Sequence, residues 1–450
     1  MRSCRGLAPE QVFLAVGVVA GVLIALLTPP LKGADEPAHL YRAYQISEGA
    51  ILAERGDEGV GGFLPRSLRD RWRRISTGPG AQRTLMGAWA RAMPLTPSDR
   101  VFIDFRNTAV YSPVAYLPQA MAIGVGRALG LPSILLLYLG RFAGLAGAIG
   151  LVFLAIRVTP IAKRLFVLLA LTPMALRQMS LLGADTVTNA AAFLLIALFL
   201  RLALDPAARL QGRFLVLLSV CSLVVSLSKQ AYFPLLFLYF LCPIDRVGVR
   251  KRYLAAFLGM AGLNAVALLG WFWAIRSLYV SQRIAPDAHP FLQLGFIVSD
   301  PIRYLLILLT DLHQHGWSYM AQCFGYVGRP PQAFGWLQGA ALLLVAFVDG
   351  EKQMAVGFRG KLLIVAVLLS TIGLINTLSY LGWNPVGAGS ISFIQGRYYI
   401  PITPLPFLLL SNRRFSSAFR NDRFTLAVAC LAAFVASLAI RFLVLRWYGA

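Results

Sequence analysis

The residues best suited to chemistry begin at position 35, directly after a first apolar run. In the stretch GADEPAHLYRAYQISEG, Pro37 suits the first turn of a helix, so Asp35 or Glu36 would cap it. Asp35, His39 and Arg42 would then share one helix face. This face combines a carboxylate, an imidazole and a guanidinium, which suits a general base or a metal ligand beside an anion-binding group. A solvated interfacial helix with a capping acid fits the same spacing.

Three further charged residues lie at the predicted ends of apolar helices. Asp185 suits either an N-cap of the helix predicted at 187–204 or a catalytic acid. Lys229, in SKQAYFP, either reaches toward lipid headgroups or contacts a phosphate. Arg397, in QGRYYIPITP, has the same two interpretations beside aromatic residues that are typical of a membrane interface. Spacing alone leaves these alternatives open.

Two other clusters could bind charged ligands. The stretch RSLRDRWRR at 66–74 holds five arginines around Trp72, which suits either phosphate or the anionic surface of a bilayer. The stretch DLHQH alternates Asp311, His313 and His315, which would form a metal site only if the chain were extended there. The sequence contains no Walker loop, GxSxG, HExxH or EF-hand spacing, and no internal repeat of the transporter kind.

Composition indicates the environment in which these residues act. The chain has 450 residues, of which 58% are hydrophobic and 14% are charged, which predicts a polytopic membrane protein. The formal charge of +23 is spread between apolar runs, as topology signals and headgroup contacts require, so no nucleic-acid partner is expected. The five cysteines are isolated, which indicates neither a disulfide framework nor a thiolate metal site.

Apolar runs of membrane-spanning length predict an all-α fold with about 11 transmembrane helices. The predicted spans are 11–28, 133–156, 165–180, 187–204, 213–228, 232–243, 253–275, 335–349, 361–381, 400–411 and 424–444. The stretches 113–129 and 301–320 carry prolines or charges, and we interpret them as re-entrant or interfacial helices. With this assignment, 17 Lys and Arg lie in the short loops of one side, and about one lies in each short loop of the other.

The positive-inside rule then predicts that the N-terminus and the basic loops are cytoplasmic. The whole chain, 1–450, would form a single integral membrane domain. Its long outer segments would be 30–132, with interfacial helices and the entry to the second span, together with 276–334 and 382–399. All four histidines lie in these segments. Chemistry is therefore expected at the outer face.

The order of the motifs is more specific than any one of them. GADEPAHLYRAYQISEG, YSPVAYLPQA at 111–120, ADTVTNAAAF at 184–193, SKQAYFP and QGRYYIPITPL at 395–405 together resemble a family of bacterial polytopic membrane proteins, the domain of unknown function two-one-four-two. That family in turn resembles the GT-C superfamily of membrane glycosyltransferases, which use polyprenyl-phosphate-linked sugars at the outer face.

The resemblance implies roles for individual residues. The acids Asp35, Glu36 and Asp185 would be catalytic, and Asp35 and Asp185 would hold a divalent metal, Mg²⁺ or Mn²⁺, where one is used. The implied substrate-binding residues are His39, Arg42, Tyr111, Tyr116, Lys229, Gln395, Arg397 and Tyr398. The sequence reads Gly-Ala-Asp and Lys-Gln-Ala where the superfamily has Leu-Pro-Asp and Lys-Gly-Pro, which leaves the substrate open.

These features predict an inverting glycosyltransferase of the bacterial inner membrane that transfers a sugar from a polyprenyl-phosphate donor to a cell-envelope glycan, lipid or protein. Sugar transfer needs a carboxylate to activate a hydroxyl and cations to stabilise the departing phosphate. The alternatives are a non-catalytic polysaccharide or lipid transporter, an assembly component and a structural scaffold. A transporter would place ionisable groups at mid-membrane, where only Arg141 and Arg276 come near.

Overall fold

Helices dominate the computed structural model, which describes residues 8–69, 94–280, 285, 287–325, 332–351, 354–412 and 422–449. The elements before the second long apolar helix are α1 (Pro9–Leu27), α2 (Glu36–Ser47), β1 (Glu54–Gly56), β2 (Gly59–Pro65), β3 (Arg100–Asp104), α3 (Arg106–Ala109), the 3-10 helix Pro113–Tyr116 and α4 (Leu117–Ala128). The next elements are α5 (Ser133–Val158), α6 (Lys163–Ala170), α7 (Pro173–Ser180), α8 (Ala184–Leu204), α9 (Gly212–Ser228), the 3-10 helices Gln230–Leu241 and Ile244–Arg246, α10 (Arg250–Ile275) and the 3-10 helix Arg276–Leu278. The remaining elements are α11 (Pro290–Ser299), α12 (Pro301–Phe324), α13 (Gln332–Val348), α14 (Phe358–Trp383), the 3-10 helix Gly396–Ile402, α15 (Pro404–Leu408) and α16 (Asp422–Tyr448).

Six of these helices are long and apolar enough to cross a membrane: α1, α5, α8, α10 with the 3-10 turn that follows it, α14 and α16. Helix α8 is the central one, because 83% of its most apolar window is buried, against 11% for α10. Its middle, AAAFLLIALFL, is apolar on every side, as a helix surrounded by other helices must be. Helix α10 therefore lies at the edge of the bundle.

Several shorter apolar segments are broken by proline, so the predicted count of about 11 spans is not confirmed. The predicted span 165–180 consists of two eight-residue helices, α6 and α7, which separate just before Pro173. The predicted spans 232–243 and 400–411 contain 3-10 helices with Pro234 and Pro401 inside them. Proline lacks the amide that an α-helix needs at its interior positions, so the chain winds tightly or turns at these points.

The stretch predicted as an interfacial helix at 301–320 belongs to a bent pair. Helices α11 and α12 meet at an angle of 107° and together pass the length and hydropathy criteria, which raises the number of candidate spans to seven. Asp311 is buried on α12, where its carboxylate accepts hydrogen bonds from the Tyr319 hydroxyl and contacts His315 Nδ1 at 3.1 Å. The DLHQH motif is therefore helical, and the extended arrangement needed for its metal site does not form.

The segment predicted as the first long outer loop, 30–132, contains a small β-sheet, which corrects the all-α prediction. Strands β1, β2 and β3 are antiparallel in that order, and Gly61 pairs with Asp104. A side chain at position 61 would collide with the carbonyl oxygen of Ile103, so the close pairing requires glycine. The predicted re-entrant helix 113–129 corresponds to the 3-10 turn Pro113–Tyr116 followed by α4. Most of the arginine-rich stretch 66–74 lies outside the described residues.

Two groups of cavity-lining residues lie at opposite ends of α1. At its N-terminal end, Pro9 lines a cavity of about 310 Å³ together with Lys163 and Asp349. Beyond its C-terminal end, Asp35 and Asp185 line a second cavity. Because α1 has 19 residues, roughly 28 Å of helix separates these two groups.

A buried ion pair fixes α2 against the bundle. Arg141 of α5 donates from Nε and Nη2 to the two carboxylate oxygens of Glu36, both at 2.7 Å, and neither side chain is exposed. The same guanidinium bonds the carbonyls of Ala25 and Thr28 at the end of α1, and Glu36 accepts a hydrogen bond from the Leu182 amide. One carboxylate therefore ties together α1, α2, α5 and the turn before α8.

We expect the substitution Glu36→Gln to destabilise the protein by about 3–5 kcal/mol, because it leaves the Arg141 guanidinium buried without its counter-charge. Thermal denaturation in detergent micelles measures this loss. The matched control is Asp99→Asn, which breaks the exposed pair with Arg66 and should cost less than about 1 kcal/mol. Equal effects of the two substitutions would contradict the anchoring role of Glu36.

Candidate functional site

The cavity beyond the C-terminal end of α1 brings together most of the predicted site residues. It encloses about 100 Å³, less than the 300–1,000 Å³ of ordinary small-molecule sites. This volume suits the reacting end of a ligand whose remainder extends outside. The lining residues are Asp35, His39, Asn107, Thr108, Tyr111, Asp185, Lys229, Trp383, Phe393, Gln395, Arg397 and Tyr398.

Asp35 stands at the N-cap position of α2, but its side chain does not cap the helix. Its backbone has a left-handed conformation, with φ of 55°. The carboxylate instead accepts a hydrogen bond from Arg397 Nη2 at 2.8 Å and a long one from Asn107 Nδ2 at 3.5 Å. The side chain remains 45% exposed. The capping interpretation is therefore wrong, and Asp35 is the acid that an incoming ligand can reach.

Asp185 is the deeper of the two carboxylates. The N-cap of α8 is Gly183, so Asp185 lies in the first turn and its side chain makes no capping bond. Its carboxylate forms an ion pair with Lys229 and approaches Arg397 Nε at 3.6 Å. Four charges of alternating sign thus follow one another in the order Lys229, Asp185, Arg397 and Asp35.

Lys229 points into the protein rather than toward lipid headgroups. Only 13% of its side chain is exposed, and its ammonium lies 4.5 Å from the ring centre of Tyr398 and 5.8 Å from that of Tyr111. Burial alone would lower the pKa of Lys229, but the Asp185 carboxylate outweighs burial and raises it. Burial raises the pKa of Tyr111 to about 12. Lys229 therefore stays charged and Tyr111 stays neutral at physiological pH.

His39 forms the inner wall of the site. Its Nδ1 lies 2.7 Å from the hydroxyl of the fully buried Tyr116, and its ring stacks against Tyr111 with a centroid distance of 6.1 Å. Burial lowers the pKa of His39 to about 4, although the carboxylates of Asp185 and Asp35 oppose this change. The imidazole is therefore neutral at pH 7 and suits hydrogen bonding rather than anion binding.

The roles predicted for Glu36, Arg42 and Tyr116 need correction, because none of these side chains lines the cavity. Glu36 is committed to Arg141. Arg42 is fully buried and donates to the Gln45 side chain at 2.6 Å and to the carbonyls of Ile51 and Tyr111 at 2.6 and 3.1 Å. The Arg42 guanidinium therefore organises the backbone around Tyr111 and does not contact a ligand in this cavity.

The donor set does not fit a divalent metal at Asp35 and Asp185. Mg²⁺ and Mn²⁺ prefer several oxygen ligands, and within the described ranges no three His, Cys, Asp or Glu side chains form a group that could hold a metal. Both carboxylates are also already paired with cationic side chains. The arrangement is that of a salt-bridge network with one accessible acid.

Sequence reasoning missed four residues that line the cavity: Asn107, Thr108, Trp383 and Phe393. Asn107 is only four residues from the quoted YSPVAY motif, and Phe393 is two residues from QGRYY, so proximity to these motifs was the available signal. Phe393 also has a left-handed backbone, with φ of 66°. An aromatic residue in this region costs roughly 1–3 kcal/mol.

The arrangement of long apolar helices, with a cavity of charged side chains at one end, defines a polytopic helical membrane protein. The chain belongs to the family described as predicted membrane protein (DUF2142), whose family model matches residues 18–406. The match includes every residue that lines the cavity. Comparisons with curated proteins and with solved structures give no match.

We expect stability to fall between pH 6.5 and about 4, partly because of His39. The unfolded histidine binds a proton near pH 6.5, whereas the folded one does so only near pH 4, so stability decreases as the pH falls through this interval. The full effect, once the pH lies well below 4, is roughly 3 kcal/mol. Thermal denaturation of the wild type and of His39→Gln at pH 7 and pH 4.5 measures it.

The wild type should lose more stability than His39→Gln over this interval. The exposed His313 provides the control, because His313→Gln should follow the wild type. A loss that is identical in all three proteins would contradict the buried neutral state of His39.

Proposed function

We propose that this protein is a membrane glycosyltransferase that moves a sugar from a polyprenyl-phosphate donor to a hydroxyl of a cell-envelope acceptor. The observation that supports it is the meeting of two carboxylates and two cations, Asp35, Asp185, Lys229 and Arg397, in one cavity at one end of the helix bundle. Sugar transfer from a lipid phosphate requires both kinds of group within a few ångströms of the reacting carbon. The family resemblance leads to the same class of reaction.

In the proposed reaction, Asp35 is the general base. Its carboxylate takes the proton of the acceptor hydroxyl while the oxygen of that hydroxyl forms a bond to the anomeric carbon of the sugar. The bond between this carbon and the phosphate oxygen breaks, and the electron pair leaves with the phosphate. A single displacement of this kind inverts the anomeric configuration. Asp35 suits this role because it is the more exposed of the two acids in the cavity.

Lys229 and Arg397 would stabilise the departing phosphate. Both cations are largely shielded from solvent, so their attraction for a phosphate is weakly screened by water. The phosphate would compete with Asp35 for Arg397, because both anions need the same guanidinium donors. Donor binding would therefore release the Asp35 carboxylate for proton transfer. Asp185 would remain with Lys229 and keep the two cations in position.

The proposed orientation has the N-terminus and the basic loops in the cytoplasm and the cavity at the outer face of the bacterial inner membrane. It rests on the asymmetry of Lys and Arg between the two sets of short loops. The separation of Pro9 and Lys163 from Asp35 and Asp185 by the length of α1 agrees with it. Segments such as α6 with α7 would complete eleven membrane passes as broken helices.

The substitution Asp35→Asn tests the proposed catalysis, and we expect transfer to fall by about 10²–10⁴-fold. Asn tolerates the left-handed backbone and keeps an acceptor for Arg397, so the fold should be preserved. Membranes containing the wild type or the variant are given polyprenyl-phosphate glucose, mannose or arabinose, and sugar leaving the lipid fraction is measured.

The matched control for Asp35→Asn is Asp57→Asn, an exposed acid of the same outer segment, which should leave transfer unchanged. Full transfer by well-expressed Asp35→Asn would remove Asp35 from the mechanism. Absence of transfer by the wild type with every donor would favour a non-catalytic transport or assembly role.

Labelling with a membrane-impermeant maleimide tests the orientation. In a background lacking Cys4 and the exposed Cys430, we expect Glu58→Cys to react in intact cells and Asp245→Cys to react only after lysis. Both positions are exposed, so they differ only in their predicted side of the membrane. The reverse pattern would place the cavity in the cytoplasm and contradict the use of an outer-face donor.

A further inference from the structure

The cavity wall includes two aromatic side chains that lie outside the charged sequence motifs. Trp383 ends α14, and Phe393 follows it after a short loop. Their ring centres are 5.5 Å apart, and both rings line the cavity that contains Asp35 and Arg397. The reacting groups and the aromatic pair therefore share one small space.

The backbone at Phe393 is held in a conformation that phenylalanine disfavours. Its φ of 66° lies in the left-handed region, where a β-carbon is crowded. The neighbouring Ser392 is fixed on both sides, because its amide donates to the Asn384 side chain at 2.8 Å and its carbonyl accepts from the Ser379 hydroxyl at 3.0 Å. Asn384 itself is buried and bonds the Ser379 carbonyl. The surrounding hydrogen bonds therefore maintain the strain at Phe393.

The strain does not serve to bury the ring. Phe393 is 43% exposed, so the unfavourable backbone presents an apolar ring at the cavity rather than in the protein core. Glycine or asparagine would adopt the same backbone more easily. Strained backbone of this kind clusters at active sites and ligand-binding sites, where the surrounding structure holds it in place.

Polar side chains lie beside the rings, so this surface offers both apolar contacts and hydrogen bonds. The Gln395 side chain lines the cavity and has no hydrogen-bond partner within the part of the chain that the structure describes. Asn107 lies nearby, next to Asp35. Flat apolar rings next to side-chain amide groups match a pyranose, which has an apolar C–H face and a rim of hydroxyl groups. An isoprenoid chain would need the rings but not the amides.

We propose that Trp383 and Phe393 form a stacking surface for the pyranose ring of the transferred sugar, and that Gln395 bonds its hydroxyl groups. This proposal rests on the proposed function, since it assigns the substrate of the same cavity. In this proposal the two aromatic residues bind the sugar, and Asp35 acts as the general base.

Fluorine NMR of the full chain in lipid nanodiscs, labelled with 5-fluorotryptophan, tests the contact directly. The Trp383→Phe variant assigns the Trp383 signal among those of the eight tryptophans. The probes are methyl pyranosides of glucose, galactose, mannose and N-acetylglucosamine, with sorbitol as an acyclic polyol and farnesyl phosphate as a lipid. We expect at least one pyranoside to shift the Trp383 signal in a saturable manner and sorbitol to leave it unchanged. A shift caused only by farnesyl phosphate would overturn the proposal. The absence of a shift with every probe would overturn it as well.

The substitution Phe393→Gly separates binding from folding. We expect pyranoside affinity to fall about tenfold, because the ring contact is lost, while the denaturation temperature stays the same or rises, because the backbone strain is relieved. Phe291→Ala, an exposed phenylalanine of α11 outside the cavity, should change neither the affinity nor the strain. Unchanged affinity in Phe393→Gly would overturn the proposal.

The same measurements distinguish this proposal from the proposed function. Asp35→Asn should bind pyranosides and yet fail to transfer sugar. If the wild type binds pyranosides at Trp383 but transfers no sugar, the cavity is a carbohydrate-binding site and the proposed enzymatic activity is wrong. If transfer depends on Asp35 but not on Phe393, the proposed enzymatic activity stands and the proposed stacking surface is wrong.

Discussion

The geometry of the cavity depends on the buried ion pair between Glu36 and Arg141. Glu36 directly follows Asp35 in the chain, so its fixed carboxylate sets the start of α2 and with it the direction of the Asp35 side chain. Glu36 also bonds the Leu182 amide, three residues before Asp185. An apolar contact could hold these segments together, but it would not fix their orientation as a two-bond guanidinium and carboxylate pair does. One internal salt bridge thus sets the distance between the two acids of the site.

The site combines charges of both signs from segments that are far apart in the sequence. The acids come from the starts of α2 and α8, and the cations from the end of α9 and the 3-10 helix near position 397. Charges at low exposure are tolerable only when each has an oppositely charged neighbour. The network therefore stabilises the folded state. It also holds two cations in position to bind an anionic leaving group.

The sequence allowed the site to be predicted better than the membrane topology. Hydropathy and basic loops place Asp35, Asp185 and Lys229 at one face, because a chain that crosses a membrane returns its loops to alternating sides. Whether Asp35 caps its helix or pairs with Arg397 could not be read from spacing, since the partner is 362 residues away. Proline divides segments such as α6 with α7 into helices too short to span alone, which explains why the predicted eleven spans are not confirmed. The β-sheet was not predicted because its central strand, β2, is rich in glycine, which is uncommon in β-strands.

The left-handed backbone at position 35 has an evolutionary consequence. That conformation admits glycine, asparagine and aspartate more readily than other residues. Among these three, only aspartate can accept a proton as a carboxylate. One nucleotide change from an Asp codon to an Asn codon would therefore preserve the turn and abolish the proposed base. A relative with this fold and an asparagine at this position would keep the architecture without the proposed base.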